Sequence, residues 1–307
     1  MIAVIDCGTN TFNLLIAQMS TTNTIEFVYT GKIPVKLGEG GIDKNTLSPE
    51  AFNRGIKALQ SFAQTIATYA VKKTIATGTA AIRDAENGKE FIDTCKSLTN
   101  INIELIDGNR EAELIWMAAK TCIQTKKKFL VMDIGGGSNE FVIADHDKIY
   151  WKKSYRLGLS RLKETFALED DSSQKKTLLI LNLLKTAMAD LFEACHEHKV
   201  DFLVGTAGTF DTYANVFTLQ ETGKEFDFTE KTYTFNTLLL RKFCDKLIGL
   251  PLIERNSIAG IPDFRKEFMV YACLLTKVVL ENCLIQECAL SSYALKEGLF
   301  LEEYSKL

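Results

Sequence analysis

Two short stretches each set an aspartate ahead of small and hydroxyl residues. They are Asp6-Cys7-Gly8-Thr9-Asn10-Thr11 and Asp133-Ile134-Gly135-Gly136-Gly137-Ser138-Asn139. Glycine lets a backbone approach a ligand closely and reach φ > 0. Successive free N–H groups in such a turn form a nest for an anion. A carboxylate cannot hold phosphate directly, because both are anionic, but it can hold a divalent cation that the phosphate also binds. The chemistry that fits is recognition of a phosphate together with a metal ion.

Other residues of this kind are ambiguous when read singly. Glu111 shares one stripe with Ile115, Ala118 and Cys122 at the start of an expected helix. It reads either as a carboxylate answering the helix dipole or as a general base at the edge of a cleft. Arg83, after the small-residue turn Gly78-Thr79-Ala80-Ala81, either presents its fork to phosphate or pairs with Asp84 on a helix surface. Glu140, seven residues past Asp133, either faces solvent or joins the turn in holding metal or water. Gly205-Thr206-Ala207-Gly208-Thr209 is either a tight strand-to-helix connection or a second backbone cradle, and Arg265 follows a Pro262 turn. Lys36 reads as a solvated surface lysine or a phosphate contact. His196 and His198 do not form a metal pair, since positions i and i+2 of a helix point about 200° apart.

The elements that must carry these residues follow from pattern. Each aspartate turn lies between two apolar runs (2–5 and 14–17; 129–132 and 141–144), which reads as strand, tight turn, strand. The hairpins are copies at a constant offset of 127 residues: Asp6 falls on Asp133, Gly8 on Gly135 and Ile16 on Ile143. Gly78-Thr79-Ala80 falls on Gly205-Thr206-Ala207 at the same offset, which indicates a duplicated domain. The polar, basic stretch 124–128 is placed as the junction. Two β-β-β-α-β-α halves result, 1–124 and 125–290, with a cleft between them as the natural ligand site. Helices are predicted over 49–69, from near 110, over 177–198, over 267–282 and over 291–304, and a last strand over 287–290.

The 307 residues allow two domains with large cores. A net charge of −3 gives no basic field for binding DNA or other nucleic acid broadly. Eight scattered cysteines, without a C-x-x-C pair, read as reduced, mostly buried thiols. An apolar strand starting at Ile2 leaves no room for a signal peptide, and no apolar run reaches the length of a membrane span. The expectation is a soluble cytoplasmic protein.

On Asp6–Thr11, Ala80-Ala81-Ile82-Arg83-Asp84-Ala85-Glu86-Asn87, Gly108-Asn109-Arg110-Glu111-Ala112, Asp133–Glu140 and Gly205–Thr209, the chain resembles the exopolyphosphatase / guanosine pentaphosphate phosphatase family of the actin-like ATPase superfamily. The resemblance covers nearly the whole chain. It implies an α/β fold of two duplicated actin-like (ribonuclease H-like) domains, with the C-terminal helix 291–307 packing on the first. It implies Glu111 as catalytic base, Arg83 as a phosphate-binding arginine, and phosphate cradles of Gly8, Thr9 and Asn10 with Gly136, Gly137 and Ser138. Gly208, Thr209 and Arg265 are carried as further phosphate contacts. Asp133, Glu140 and Asp6 are the metal candidates, with Mg²⁺ or another divalent cation as cofactor. The implied substrate is inorganic polyphosphate or, alternatively, guanosine pentaphosphate, and a homodimer is expected. An actin-fold sugar or acetate kinase and a non-catalytic nucleotide-sensing or filament-forming protein are the other readings. Three positions depart from the family pattern. Arg110 replaces a glutamate and is expected to place positive charge beside Glu111; Lys296 replaces an arginine, and Asn139 a threonine.

Overall fold

Successive strands of each half pair so that their apolar residues serve two cores at once. The structure, a computed structural model, describes residues 1–168 and 173–306. Strands β1 (Ile2–Cys7), β2 (Thr11–Met19) and β3 (Ile25–Pro34) form an antiparallel meander, and β4 (Lys73–Gly78) and β5 (Ile103–Leu105) add parallel to β1, giving the order β3-β2-β1-β4-β5. The second sheet is built from β6 (Phe129–Ile134), β7 (Asn139–Ala144), β8 (Ile149–Tyr155), β9 (Phe202–Thr206), β10 (Thr232–Phe235) and β11 (Glu287–Ser291). Its order, β8-β7-β6-β9-β11-β10, repeats the first sheet and adds one antiparallel edge strand. We call the two sheets with their helices the first and second lobes.

The alternation of a strand sends neighbouring side chains to opposite faces. Val4, Leu15 and Ala17 of the first sheet and Val131, Val142, Ala144 and Val204 of the second face one another through a shared core. Two helices fill that core, Gly108–Ala119 through Ile115 and Ala118, and Leu295–Tyr304 through Leu299 and Phe300. Their other neighbours in sequence, Ala3, Ile5, Leu14 and Ile16, face outward onto Leu59, Phe62 and Phe91 of the helices Pro49–Ala67 and Gly88–Thr99. On the second sheet Met132, Phe141 and Leu203 pack outward against Phe210, Tyr213, Tyr271 and Leu275. Sheets covered on both faces read as nearly continuous apolar runs, as these do.

Several boundaries differ from the sequence expectation. The stretch expected as one helix over 177–198 is two, Ser173–Ala187 and Ala189–His198, broken at Met188. The Pro262 segment is a one-turn helix, Asp263–Lys266, and the long apolar helix starts after it at Met269. The last strand runs to Ser291, whose hydroxyl turns back to the Tyr293 carbonyl (2.9 Å), so the last helix begins at Leu295 rather than 291. There the Glu297 carboxylate accepts the Ala294 N–H (2.8 Å).

The two central helices touch backbone to backbone. A Cβ on Gly298 would stand 2.1 Å from the Leu114 carbonyl oxygen. Gly298→Ala is expected to push these helices apart and cost about 1–3 kcal/mol, read as a lowered thermal midpoint, whereas Gly249→Ala, with open space around it, leaves the midpoint near wild type.

Candidate active site

The register of the strands lays out two equivalent rows of polar residues. Across the first sheet Lys32, Asn13, Asp6 and Thr77 are direct neighbours on β3, β2, β1 and β4. Across the second, Ser154, Glu140, Asp133 and Thr206 are neighbours on β8, β7, β6 and β9. Directly paired residues project from the same face, so each row forms a polar band along one face of its sheet. In the first row the Asn13 amide donates to Asp6 Oδ2 (3.0 Å). In the second, Thr206 donates to Asp133 Oδ2 (2.9 Å) and Ser154 to Glu140 Oε1 (2.7 Å). The duplication is thus chemical as well as topological, with two exchanges: a lysine and an amide in the first lobe where the second has a serine and a carboxyl.

The glycine turns close the same cleft from both sides. A Cβ on Gly136 would lie 2.8 Å from the Asn10 side chain, and one on Gly137 2.7 Å from Thr9 Oγ1 and 2.6 Å from Ala80 Cβ. Only glycine permits this approach of one lobe's turn to the other. Ser160 adds a hydrogen bond to Asn10 Oδ1 (2.6 Å). Among the described residues, the N–H groups of Thr9, Asn10, Gly136 and Gly137 have no backbone acceptor.

Glu111 enters from the first turn of the helix Gly108–Ala119, whose N-cap Asp107 accepts the Arg110 N–H (2.8 Å). The helix lies against β7 and β8, and a Cβ on Gly108 would stand 2.3 Å from Ser154. This places Glu111 on the cavity wall with Asp6 and Asp133. Its carboxyl is buried, and Oε2 has no hydrogen-bond partner. The nearest cation is Arg83, whose Nη1 lies 3.9 Å from that oxygen.

Four acids this close in a poorly solvated place oppose ionisation. Burial pushes Asp6 and Asp133 up to about 6. Burial, then the Asp133 charge, takes Glu140 to about 7. Burial, with Glu140, Asp133 and Asp6 adding to it, holds Glu111 well above the carboxylate range against the pull of Arg83.

Most of the predicted site residues share this cavity. Asp6, Gly8, Thr9, Asn10, Glu111, Asp133, Gly136, Gly137, Ser138, Gly208 and Arg265 all line it. Arg83, Glu140 and Thr209 do not: Arg83 stands behind Glu111, Glu140 is buried under Ser154, and Thr209 is fully buried with its hydroxyl unpartnered. Arg265 lies over Gly208, where a Cβ would fall 1.5 Å from its guanidinium. Arg110 departs from expectation. Its guanidinium pairs with Glu113 (3.1 Å) and with Glu302, and the cation beside Glu111 is Arg83 instead. Lys36 is half-exposed and its backbone N–H donates to the Asn10 carbonyl (3.0 Å), but its ammonium pairs with Glu267 across the lobes (2.6 Å).

Sequence reasoning missed Lys32 and Asp211 and treated Lys296 only as a departure. All three line the cavity with Arg265. Lys32 is found only through the register that sets it beside Asn13. Asp211 had a signal: it is the copy of Asp84 at the 127-residue offset.

The Ppx/GppA phosphatase family model matches residues 15–307. The chain belongs to that family. It is 33% identical to a crystal structure of an exopolyphosphatase from Cytophaga hutchinsonii, with a TM-score of 0.94 over 100% of this chain and 98% of that one. This agreement fixes the fold as the two-lobed α/β architecture of that exopolyphosphatase. A bifunctional 3-dehydroquinate synthase/phosphatase of Fusobacterium nucleatum is 30% identical over 91% of this chain and 43% of its own length. A guanosine-5'-triphosphate,3'-diphosphate pyrophosphatase of Photobacterium profundum is 24% identical over 99% of this chain and 59% of its own. The chain therefore spans about half the length of these two relatives.

The raised acids set a pH dependence with a definite sign. Glu140 ionises near 4.5 when unfolded and near 7 when folded, so the fold holds more protons than the unfolded chain across that window. The stabilisation is full below about 4.5 and is lost as pH rises through about 7. Without divalent cations, the thermal midpoint of the wild type is expected to fall between pH 5 and 8 more steeply than that of Glu140→Gln, measured by differential scanning calorimetry.

Proposed function

We propose that this protein is a phosphoanhydride hydrolase that releases orthophosphate from the end of inorganic polyphosphate, with Glu111 as general base. The observation that carries the reading is the buried Glu111 carboxyl, one oxygen unpartnered, on the wall of a cavity shared by two opposed glycine turns. Membership of the Ppx/GppA family supports the reaction class.

The free N–H groups of both turns donate to the oxygens of the terminal phosphoryl group and hold it between the lobes. Glu111 aligns a water for in-line attack on phosphorus and accepts its proton. A carboxyl raised out of its ordinary range is suited to this, because a base works best with a pKa near the working pH. Arg83, behind Glu111, offsets charge on the equatorial oxygens. Lys32, Arg265 and Lys296 hold the rest of the anionic chain, since all three line the same cavity around Asp211.

The donor set fits a divalent cation, for which we propose Mg²⁺. Asp133 and Asp6 each have one oxygen engaged and one without a hydrogen bond, and their raised ionisation reflects charge that a cation would neutralise. Among the described residues no three acidic, histidine or cysteine side chains converge on one point. That suits Mg²⁺, which is commonly held by one or two carboxylates, with phosphate and water oxygens completing its shell. Asp133, with Glu140 or Asp6 beside it, would hold the ion, which when bound supplies charge neutralisation at the reacting phosphoryl group.

The second reading is a guanosine pentaphosphate phosphatase, favoured by the activity named for the Photobacterium relative. A cavity end occupied by cations rather than an open aromatic face favours the inorganic chain: Lys32 and Arg265 both lie over the Phe264 ring. Timed orthophosphate release from tripolyphosphate, long polyphosphate and guanosine pentaphosphate tests both. The expected result is turnover of polyphosphate, lowered about 10²–10⁴-fold in Glu111→Gln with substrate binding kept. Turnover of guanosine pentaphosphate alone would establish the second reading, and near-wild-type release by Glu111→Gln would refute the role of the base.

A further inference from the structure

We propose that Asp84 is a positioning residue that ties closure of the two lobes to the placement of Arg83 beside Glu111; the role rests on the reading of Glu111 as base. Asp84 is the meeting point of three guanidinium groups. Its Oδ1 accepts from Arg83 Nε (3.3 Å), and its Oδ2 receives Arg161 Nη2 (2.8 Å) and Arg156 Nη2 (3.1 Å). Arg83 belongs to the first lobe, and Arg156 and Arg161 to the second.

The links on either side of Asp84 give this cluster its consequence. Arg161 is 12% exposed at its side chain and spends its remaining donors on two backbone carbonyls: Nε on Gly137 (2.9 Å) and Nη1 on Ile42 (3.0 Å). It therefore holds the glycine turn of the second lobe against a loop of the first. Arg83 gives Nη1 to the Ile106 carbonyl (3.0 Å), and the same nitrogen lies 3.9 Å from Glu111 Oε2. A continuous series of polar contacts thus runs from Gly137 through Arg161, Asp84 and Arg83 to Glu111.

The charges explain why Asp84 is the controlling member. One carboxylate holds three cations, and all three repel one another once it is neutral. An Arg83 released at Nε is free to turn its fork onto the unpartnered oxygen of Glu111, closing a direct ion pair with the group that has to receive the water's proton. Asp84 holds Arg83 back at 3.9 Å, and Arg156 and Arg161 of the second lobe fix the orientation of that carboxylate through its other oxygen.

The duplication repeats the device. Asp211 is the copy of Asp84 at the 127-residue offset. Its facing charges are Lys32, from the other lobe, Arg265, and Lys296 on the C-terminal helix. Each copy thus faces at least one cation from the other half, Arg156 and Arg161 for Asp84 and Lys32 for Asp211.

The test is a double-mutant cycle in kcat with polyphosphate as substrate. Asp84→Asn is expected to lower kcat about 10–100-fold, the scale of an ångström-size misplacement, with KM not raised. Asp84→Glu should restore part of the loss. If Asp84 acts through Arg83, adding Asp84→Asn to Arg83→Gln costs little more than Arg83→Gln alone. Multiplicative losses, or a folded Asp84→Asn protein with wild-type kcat, overturn the proposal. Should Asp84→Asn fail to fold, Arg161→Met reads the link from the other lobe, where an unchanged kcat overturns it and a similar fall supports it. Failure of the base reading is separate, since it shows as full activity in Glu111→Gln.

Discussion

Four carboxyl groups, Asp6, Glu111 and Asp133 on the cleft wall and Glu140 buried behind it, crowd one poorly solvated region, and the charge they would carry together is the constraint the rest of the structure has to meet. Removing one carboxylate from water is costly, and each further one adds repulsion. Three of the four are each given a neutral donor: Asn13 for Asp6, Thr206 for Asp133 and Ser154 for Glu140. Glu111 keeps one oxygen without a hydrogen bond and has only a distant arginine. Burial and mutual repulsion raise the ionisation of all four, and a cation bound among them would neutralise the charge they develop.

The duplicated fold supplies that arrangement economically. Two sheets of the same strand order place two corresponding polar rows at the cleft, and the glycine turns at their ends approach so closely that a Cβ on Gly136 or Gly137 would collide with the first lobe. The exchange of Asn13 for Glu140 between the rows concentrates acid on the second lobe. Glu111 comes from neither row; its helix belongs to the first half of the chain but packs on β7 and β8 of the second sheet. The cavity wall is therefore complete only when the two lobes meet.

What the sequence disclosed was local. The turns were legible because an aspartate followed by small and hydroxyl residues between apolar runs has few other readings, and the copied offset made them mutually supporting. Glu111 was legible as an inward residue from its helical spacing, and its role came from the family resemblance. What was lost depends on contacts between elements. Lys32 joins the site through strand register, and Arg110, one residue from Glu111, was misjudged because neighbours on a helix point about 100° apart; it reaches Glu302 of the last helix instead. The edge strand Thr232–Phe235 is four residues long and largely exposed, so its pattern is weak.

The central claim is that a terminal phosphoryl group is held between the two turns with residue 111 beside its attacking water. A crystal structure of Glu111→Gln with tripolyphosphate and Mg²⁺ tests it most directly. The account predicts the terminal phosphorus between Gly8–Asn10 and Gly136–Ser138, with a water in hydrogen-bond reach of the residue-111 side chain and in line with the bridging oxygen. A phosphate chain bound away from both turns, or residue 111 turned from its terminus in the closed protein, would contradict it.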